Sequence, residues 1–386
     1  MKIRSITVGV NLSSPLNEEL VRQAGRFARQ AKEAFEEQGI EVQTLRLATQ
    51  PFPEYLGDAS GEEILRFALE LEKLCVKEGI EYVSIGPATS DETDRDLALM
   101  ALIPRLIQET ERLFASITIG TGAEGIKGRA VREAARVIKE ISHMTDGGFG
   151  NLRFAALANC PPYIPFFPAA YHQGDPAFTL ALQAADIVAQ AFHGGPDLPT
   201  ATGRLREAME EKIRPIQMIA EGLADNNFAF KGIDLSPAPA PGDATSIAYA
   251  MEGLTGRRFG QAGTLTAAAL ITQVLKTMNL KACGYSGLML PVLEDSGLAA
   301  RNREGTFRLM DLLTLSAVSG TGLDTIPLPG EITLRELEAI LLDVASLATA
   351  LRKPLSARLF PIPGKEAGEM TTFEFPYFTN TTIFQV

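Results

Sequence analysis

The chain has 386 residues, 46% of them apolar, and a formal net charge of −11. That length suits one large α/β barrel or two to three average domains, with ample material for a buried core. The acidic balance excludes a general phosphate-neutralising surface, so neither nucleic acid nor an anionic membrane is an expected partner.

The first residues carry Lys2 and Arg4 and pass at once into an alternating strand pattern. No apolar run reaches the roughly 18 residues of a spanning helix, and a cytoplasmic location is expected. Cys75, Cys160 and Cys283 are widely spaced and lack Cys-x-x-Cys pairing, which argues against a disulfide framework or a thiolate zinc site. His143, His172 and His193 share no helix face.

In chain order, a strand over 3–12 is followed by a helix opened by Ser14-Pro15, with an apolar stripe through Leu16, Leu20, Ala24, Phe27, Ala31 and Phe35. A strand at 40–48 precedes a helix that starts at the capping box Ser60-Gly61-Glu62-Glu63 and closes at Gly79. Strands at 81–86, 114–120 and 151–158 alternate with helices at 94–109 and 128–141. Five strands separated by helices imply parallel pairing through right-handed crossovers.

After residue 160 the rhythm changes. A proline- and aromatic-rich stretch, Pro161 to His172, leads into helical regions at 176–193 and 200–224. Strand signals resume at 227–235, 288–293, 312–318, 357–362 and 372–384, with helices at 263–279 and 333–352, the last opened by a second capping box at Thr333-Leu334-Arg335-Glu336. The expected organisation is one domain over 1–386: a first half at 1–160, a helical bridge at 161–226 and a second half at 227–386.

Parallel strands place functional loops at their C-terminal ends. In the first half these are Asn11, Pro51 to Pro53, Gly86 to Asp91 and Gly120 to Gly128. Gly120-Thr121-Gly122-Ala123-Glu124-Gly125 matches the dinucleotide fingerprint, yet three strand–helix units precede it and the next strand ends without the acid that would hold a ribose. It reads first as a tight turn, second as backbone donors for an anion.

Pro161 to His172 packs stiff prolines against large rings and must be a fixed-shape loop, read as a lid over one end of the sheet. His172 is either a cap for the next helix or an acid–base group, since imidazole titrates near neutrality. Asp234 sits near a buried strand end and needs a partner, which makes it a candidate base or ligand contact, with Lys231 beside it for an anion. Asp243 reads as a helix cap. Ser286, Glu294 and Asp295 follow in Tyr285 to Asp295, and the glycine-rich Ser319 to Gly330 adds Thr321 and Asp324. Glu294 and Asp324 are candidate ligands for a hard cation, and a divalent metal is the one cofactor these acids suggest. Ser286 lacks the glycine spacing of a nucleophile elbow.

Taken together, Pro165 to His172, Phe230 to Ser236, Tyr285 to Asp295 and Gly320 to Thr325 make the chain resemble the domain of unknown function 711 family over essentially its whole length. The resemblance implies a pyruvate formate-lyase-like α/β barrel: ten strands in two parallel five-stranded halves, mutually antiparallel. The radical chemistry of better-known relatives does not carry over, because the Arg-Val-x-Gly-Tyr loop is missing near the C-terminus and neither Cys160 nor Cys283 has an adjacent cysteine.

The function expected is a non-radical enzyme acting on a small anionic metabolite. His172 and Asp234 would act on it, Asn11, Gly120, Thr121, Gly122, Lys231, Ser286 and Thr321 would bind it, and Glu294 and Asp324 would hold a metal. The alternatives are a metabolite sensor on an enzyme-like fold and a homo-oligomeric scaffold. The ring-rich tail, Phe373 to Phe378 with Ile383 and Phe384, would dock on its own sheet or on a neighbouring subunit.

Overall fold

The computed structural model describes residues 1–89 and 93–386; the end of the Gly86–Asp91 loop lies outside the described residues. Ten strands form one mixed sheet. They are β1 (Lys2–Val10), β2 (Val42–Thr49), β3 (Tyr82–Ala88), β4 (Leu113–Thr121), β5 (Gly125–Ile126), β6 (Phe154–Ala158), β7 (Ala177–Gln183), β8 (Ala229–Ala238), β9 (Gly322–Pro329) and β10 (Leu355–Ile362). The order is β8-β7-β1-β2-β3-β4-β6-β10-β9, with β5 paired to β4.

Strands β1, β2, β3, β4 and β6 are mutually parallel. The pair β7–β8 runs antiparallel to β1 on one flank, and the pair β10–β9 runs antiparallel to β6 on the other. The five parallel strands of the first half are therefore as expected, and the second half does run the opposite way.

Its elements differ from the expectation in several places. Residues 177–183, read as helix, form β7: Ala-Phe-Thr-Leu-Ala-Leu-Gln alternates well enough for a strand, and pairing with β1 decides it. Residues 312–318, read as strand, lie largely in the helix Leu309–Leu315, whereas the glycine- and proline-rich stretch read as a loop holds β9. An edge position tolerates Pro327 and Pro329, because their missing N–H groups face no further strand. The tail 372–384 holds no strand; its Thr382 makes one isolated bridge, to Met370 just before it. Its rings Phe373, Phe375 and Phe378 pack with Phe149 on Phe360 and Leu293 of the same chain.

Strand pairing does not close a barrel. Between β8 and β9 runs the irregular segment 281–293, which makes a single parallel bridge to each edge, Ile233 to Ala282 and Pro291 to Asp324. Among the described residues no helix is long and apolar enough to cross a membrane.

Both faces of the sheet are covered, by different means. One face is aliphatic: Ile6, Val8, Leu47, Ala156, Leu180 and Leu182 pack under amphipathic helices such as Glu18–Glu37 and Gly128–Met144. The other carries Ser5, Thr7, Ala48, Ser84, Ala155, Ala181 and Ala238, side chains small enough to admit a second layer of backbone. That layer is the segment 160–172. Ser5 and Thr7 donate to Pro165 O at 3.4 and 3.3 Å, Ser84 donates to Ala170 O at 2.7 Å, and His172 N donates to Thr49 O at 2.8 Å. Phe166 packs with Ala155 and Ala238, and Phe167 with Ala48 and Phe114. The stretch expected as a lid is an interior finger, folded on itself through Tyr163 N to Tyr171 O at 3.0 Å. Prolines suit it because each removes one donor that would otherwise need a buried partner.

Candidate functional site

Beside the finger lies a narrow cavity with about 530 Å³ of atom-free space, its mouth included. Strand positions facing the finger supply its charged groups: Arg4 from the bulge near the start of β1, Arg46 from β2, Asp324 from β9 and Arg358 from β10. Glu294 comes from the end of the irregular segment, held by Thr379 N donating to Leu293 O at 2.7 Å. Thr321 enters where Gly320 crosses Gly287. A Cβ on Gly287 would meet Gly320 Cα at 2.5 Å, and one on Gly320 would meet Gly287 backbone at 2.5 Å, so this crossing needs glycine on both segments.

The charges are connected. Arg358 donates from Nε to Asp324 at 2.7 Å and from Nη2 to Glu294 at 2.7 Å, and Arg4 Nη2 donates to the second Glu294 oxygen at 2.6 Å. Burial pushes the Glu294 carboxyl up, but Arg358 and Arg4 outweigh it and hold the group below the usual carboxylate range. Burial lowers Arg358 as well, and its two carboxylates reverse that, leaving it more firmly protonated than a free guanidinium.

Arg46 is different. Its Nε donates to Thr44 Oγ1 at 2.9 Å and its plane lies over Phe167 and Tyr82, with 5.2 and 5.5 Å to the ring centres. No carboxylate pairs with it among the described residues. Burial first, then repulsion from Arg4, brings its pKa down to about 9. Thr321 Oγ1 is likewise buried with no hydrogen-bond partner among the described residues. Tyr285 completes the wall, donating to Ser356 Oγ at 2.9 Å with the Cys160 sulfur 3.6 Å from its hydroxyl. Burial pushes the Cys160 thiol up to about 12, so it stays protonated and is a poor nucleophile.

The residues expected from the sequence fall into separate groups. Glu294, Asp324 and Thr321 meet in this cavity. His172, Asn11 and Lys231 gather at another place, past the C-terminal end of β1. There His172 Nε2 and Asn11 both reach Gly174 O, at 3.0 and 2.9 Å, and Lys231 lies over the Tyr163 ring at 5.1 Å. His172 is 1% exposed and caps no helix; its Nδ1 has no partner among the described residues, and burial lowers its pKa. The small pocket beside it shares no lining residue with the charged cavity, because the finger passes between them.

Asp234 belongs to neither. It accepts from Ser236 Oγ and N, Tyr285 N and Ser286 N at 2.6 to 3.1 Å, while Ser286 Oγ accepts from Leu235 N at 3.1 Å. The pair anchors the turn that leads Tyr285 into the cavity, and burial raises the Asp234 carboxyl. Asp295 is buried and accepts from the N-terminal N–H groups of two helices, Ile247 N and Gly297 N, at 2.6 and 2.9 Å. Ser246 caps the first of these, not Asp243. Gly120 to Gly125 forms an antiparallel hairpin between β4 and β5, in which Thr121 Oγ1 accepts from Glu124 N at 3.0 Å. The turn ahead of the next helix is therefore not a strand-to-helix phosphate loop.

A metal fits the cavity poorly. Among the described residues no group of three or more His, Cys, Asp or Glu side chains could hold one, and Glu294 and Asp324 are already engaged by guanidiniums that a cation would have to displace. The groups missed at the sequence level are Arg4, Arg46, Arg358, Tyr285 and Ser356. For Arg46 and Arg358 the signal was an arginine inside an otherwise apolar strand, in Leu45-Arg46-Leu47 and Ala357-Arg358-Leu359.

Fold and site together define an α/β protein with a charged cavity walled by its own sheet and an interior finger. The chain belongs to the family described as Uncharacterised ACR (DUF711), whose model matches residues 1–374. It is 30% identical over 397 residues to a UPF0210 protein of Pyrobaculum arsenaticum, covering 96% of this chain and 87% of that one. Similar proteins include UPF0210 proteins of Desulforudis audaxviator, 29% identical over 401 residues, and Methanococcus aeolicus, 27% over 404, each match covering 97% of this chain and 88% of the relative.

Proposed function

We propose that the protein binds a small oxyanion in the cavity lined by Arg4, Arg46 and Arg358, as the substrate of a non-radical reaction. The observation that carries this reading is Arg46, a buried guanidinium with no carboxylate partner among the described residues. A buried charge is costly unless paired, so a bound anion is its natural complement. The cavity supplies charge and hydrogen bonds to orient a ligand, with the unpartnered Thr321 hydroxyl as a neutral donor. Calorimetric titration with acetate in low-chloride buffer tests the proposal: saturable binding is expected, lost in Arg46→Met. Equal binding by that variant would refute it. Turnover of the bound anion in a metabolite screen separates an enzyme from a sensor.

The finer fold reading, a ten-stranded barrel of the pyruvate formate-lyase type, belongs with this proposal. It is supported by the opposed directions of the two halves and by segment 281–293, which touches both free edges. A cytoplasmic location is supported by three free cysteines.

A further inference from the structure

We infer that the anion taken by this cavity is a short monocarboxylate, its charged end on the open edge of Arg46 and its hydrocarbon end on the apolar wall of Phe166, Met289 and Ala238. The inference rests on the proposed anion site and narrows it by three independent observations.

The first is charge. Among the described residues three guanidiniums and two carboxylates line the cavity, which leaves one positive charge uncompensated. Glu81, the next carboxylate to act on Arg46, is half-exposed and bonded to Leu45 N at 2.6 Å. A monoanion neutralises the buried set; a dianion overshoots it and places its second charge among Glu294, Asp324 and a hydrocarbon wall that cannot solvate it.

The second is the donor inventory. A guanidinium carries five N–H groups. Arg4 commits one N–H on each terminal nitrogen, to Pro239 O at 3.3 Å and to Glu294, and Arg358 commits one on Nε and one on Nη2, so each has two of its five engaged. Arg46 spends only Nε, so its Nη1 and Nη2 present a planar fork that matches two carboxylate oxygens. Phe167 and Tyr82 flank the same guanidinium, their ring centres 5.2 and 5.5 Å from its central carbon. The unpartnered Thr321 hydroxyl stands ready in the same wall for one more hydrogen bond.

The third is the remaining lining. Ala155, Phe166, Ala169, Ala238 and Met289 belong to one buried apolar cluster that forms part of the cavity. It matches an alkyl group and offers nothing to a second ionic one.

The wild-type protein, titrated by calorimetry at neutral pH with acetate, butyrate, malonate and sulfate, decides the matter. Butyrate is expected to bind more tightly than acetate, by about fourfold for each methylene buried. Malonate and sulfate, both doubly charged at neutral pH, are expected to bind at least about tenfold more weakly than acetate. If no anion binds, the anion site itself is wrong; if malonate or sulfate binds as well as acetate, the site stands and the monocarboxylate assignment falls. Asp324→Asn adds one net positive charge while keeping an oxygen for Arg358. It is expected to move the malonate-to-acetate affinity ratio towards malonate, and an unchanged ratio would overturn the charge argument.

Discussion

Arg46 and Arg358 line the same cavity, yet their removal has opposite consequences. Arg358→Met strips the partner from Asp324 and half the pairing from Glu294, both buried, and is expected to cost about 3–5 kcal/mol in urea unfolding. Arg46→Met strips no carboxylate of its partner among the described residues and is expected to be neutral or stabilising in the same assay while abolishing anion binding. At His172 the expected readout is pH. Burial holds the folded imidazole below its ordinary value of 6.5, so below that pH the unfolded chain binds the extra proton more readily. Its contribution to stability is full above 6.5 and is lost as pH falls from there towards the lowered folded value. His172→Gln should therefore flatten that limb of the stability–pH curve, and an unchanged slope would contradict the assignment. Gly9 has a matching constraint: a Cβ there would lie 2.3 Å from His172 Nδ1, so Gly9→Ala is expected to destabilise by about 1–3 kcal/mol.

Among the elements, the finger and the tail do the most to place the site. Both were visible in the sequence as unusual composition, and neither location could be read from it. Pro161 to His172 looked like a surface lid because proline excludes helix and central strand, but composition does not say which side of the sheet receives it. The deciding feature is the row of small residues, Ser5, Ala48, Ser84 and Ala155, spread over four strands. Each is unremarkable alone. The tail shows the same limit: its rings announced docking, and the structure places them on Phe360 and Leu293, next to Glu294. Removing residues 370–386 should expose that cluster, lower the thermal midpoint and weaken acetate binding through a looser Glu294. A truncated protein of unchanged stability and affinity would show that the tail positions nothing. The helix and strand exchange at 309–329 arose because short apolar runs fit either period, and pairing with β10 settles the strand.

For the whole molecule, the five parallel strands were legible as short apolar runs, the first three each leading to a helix with a side-chain N-cap, whereas β7 and β9 depend on partners distant in sequence. The site was partly legible. Glu294, Thr321 and Asp324, singled out for their position in stiff segments, do line the one candidate cavity, but His172 and Lys231 lie on the other side of the finger, and the arginines were hidden inside strands. Strand periodicity shows that a residue faces one side; it does not show that Arg46, Arg358 and Glu294, hundreds of residues apart in part, face one another. The acidic net charge of the chain hid the locally positive cavity in the same way. The central claim is the uncompensated positive charge beside Arg46. Bromide, a monoanion that can be located by anomalous scattering, probes it directly in crystals soaked at low chloride. A bromide peak within hydrogen-bonding reach of the Arg46 terminal nitrogens is the predicted result, and an empty cavity alongside ordered bromide elsewhere on the protein would contradict it.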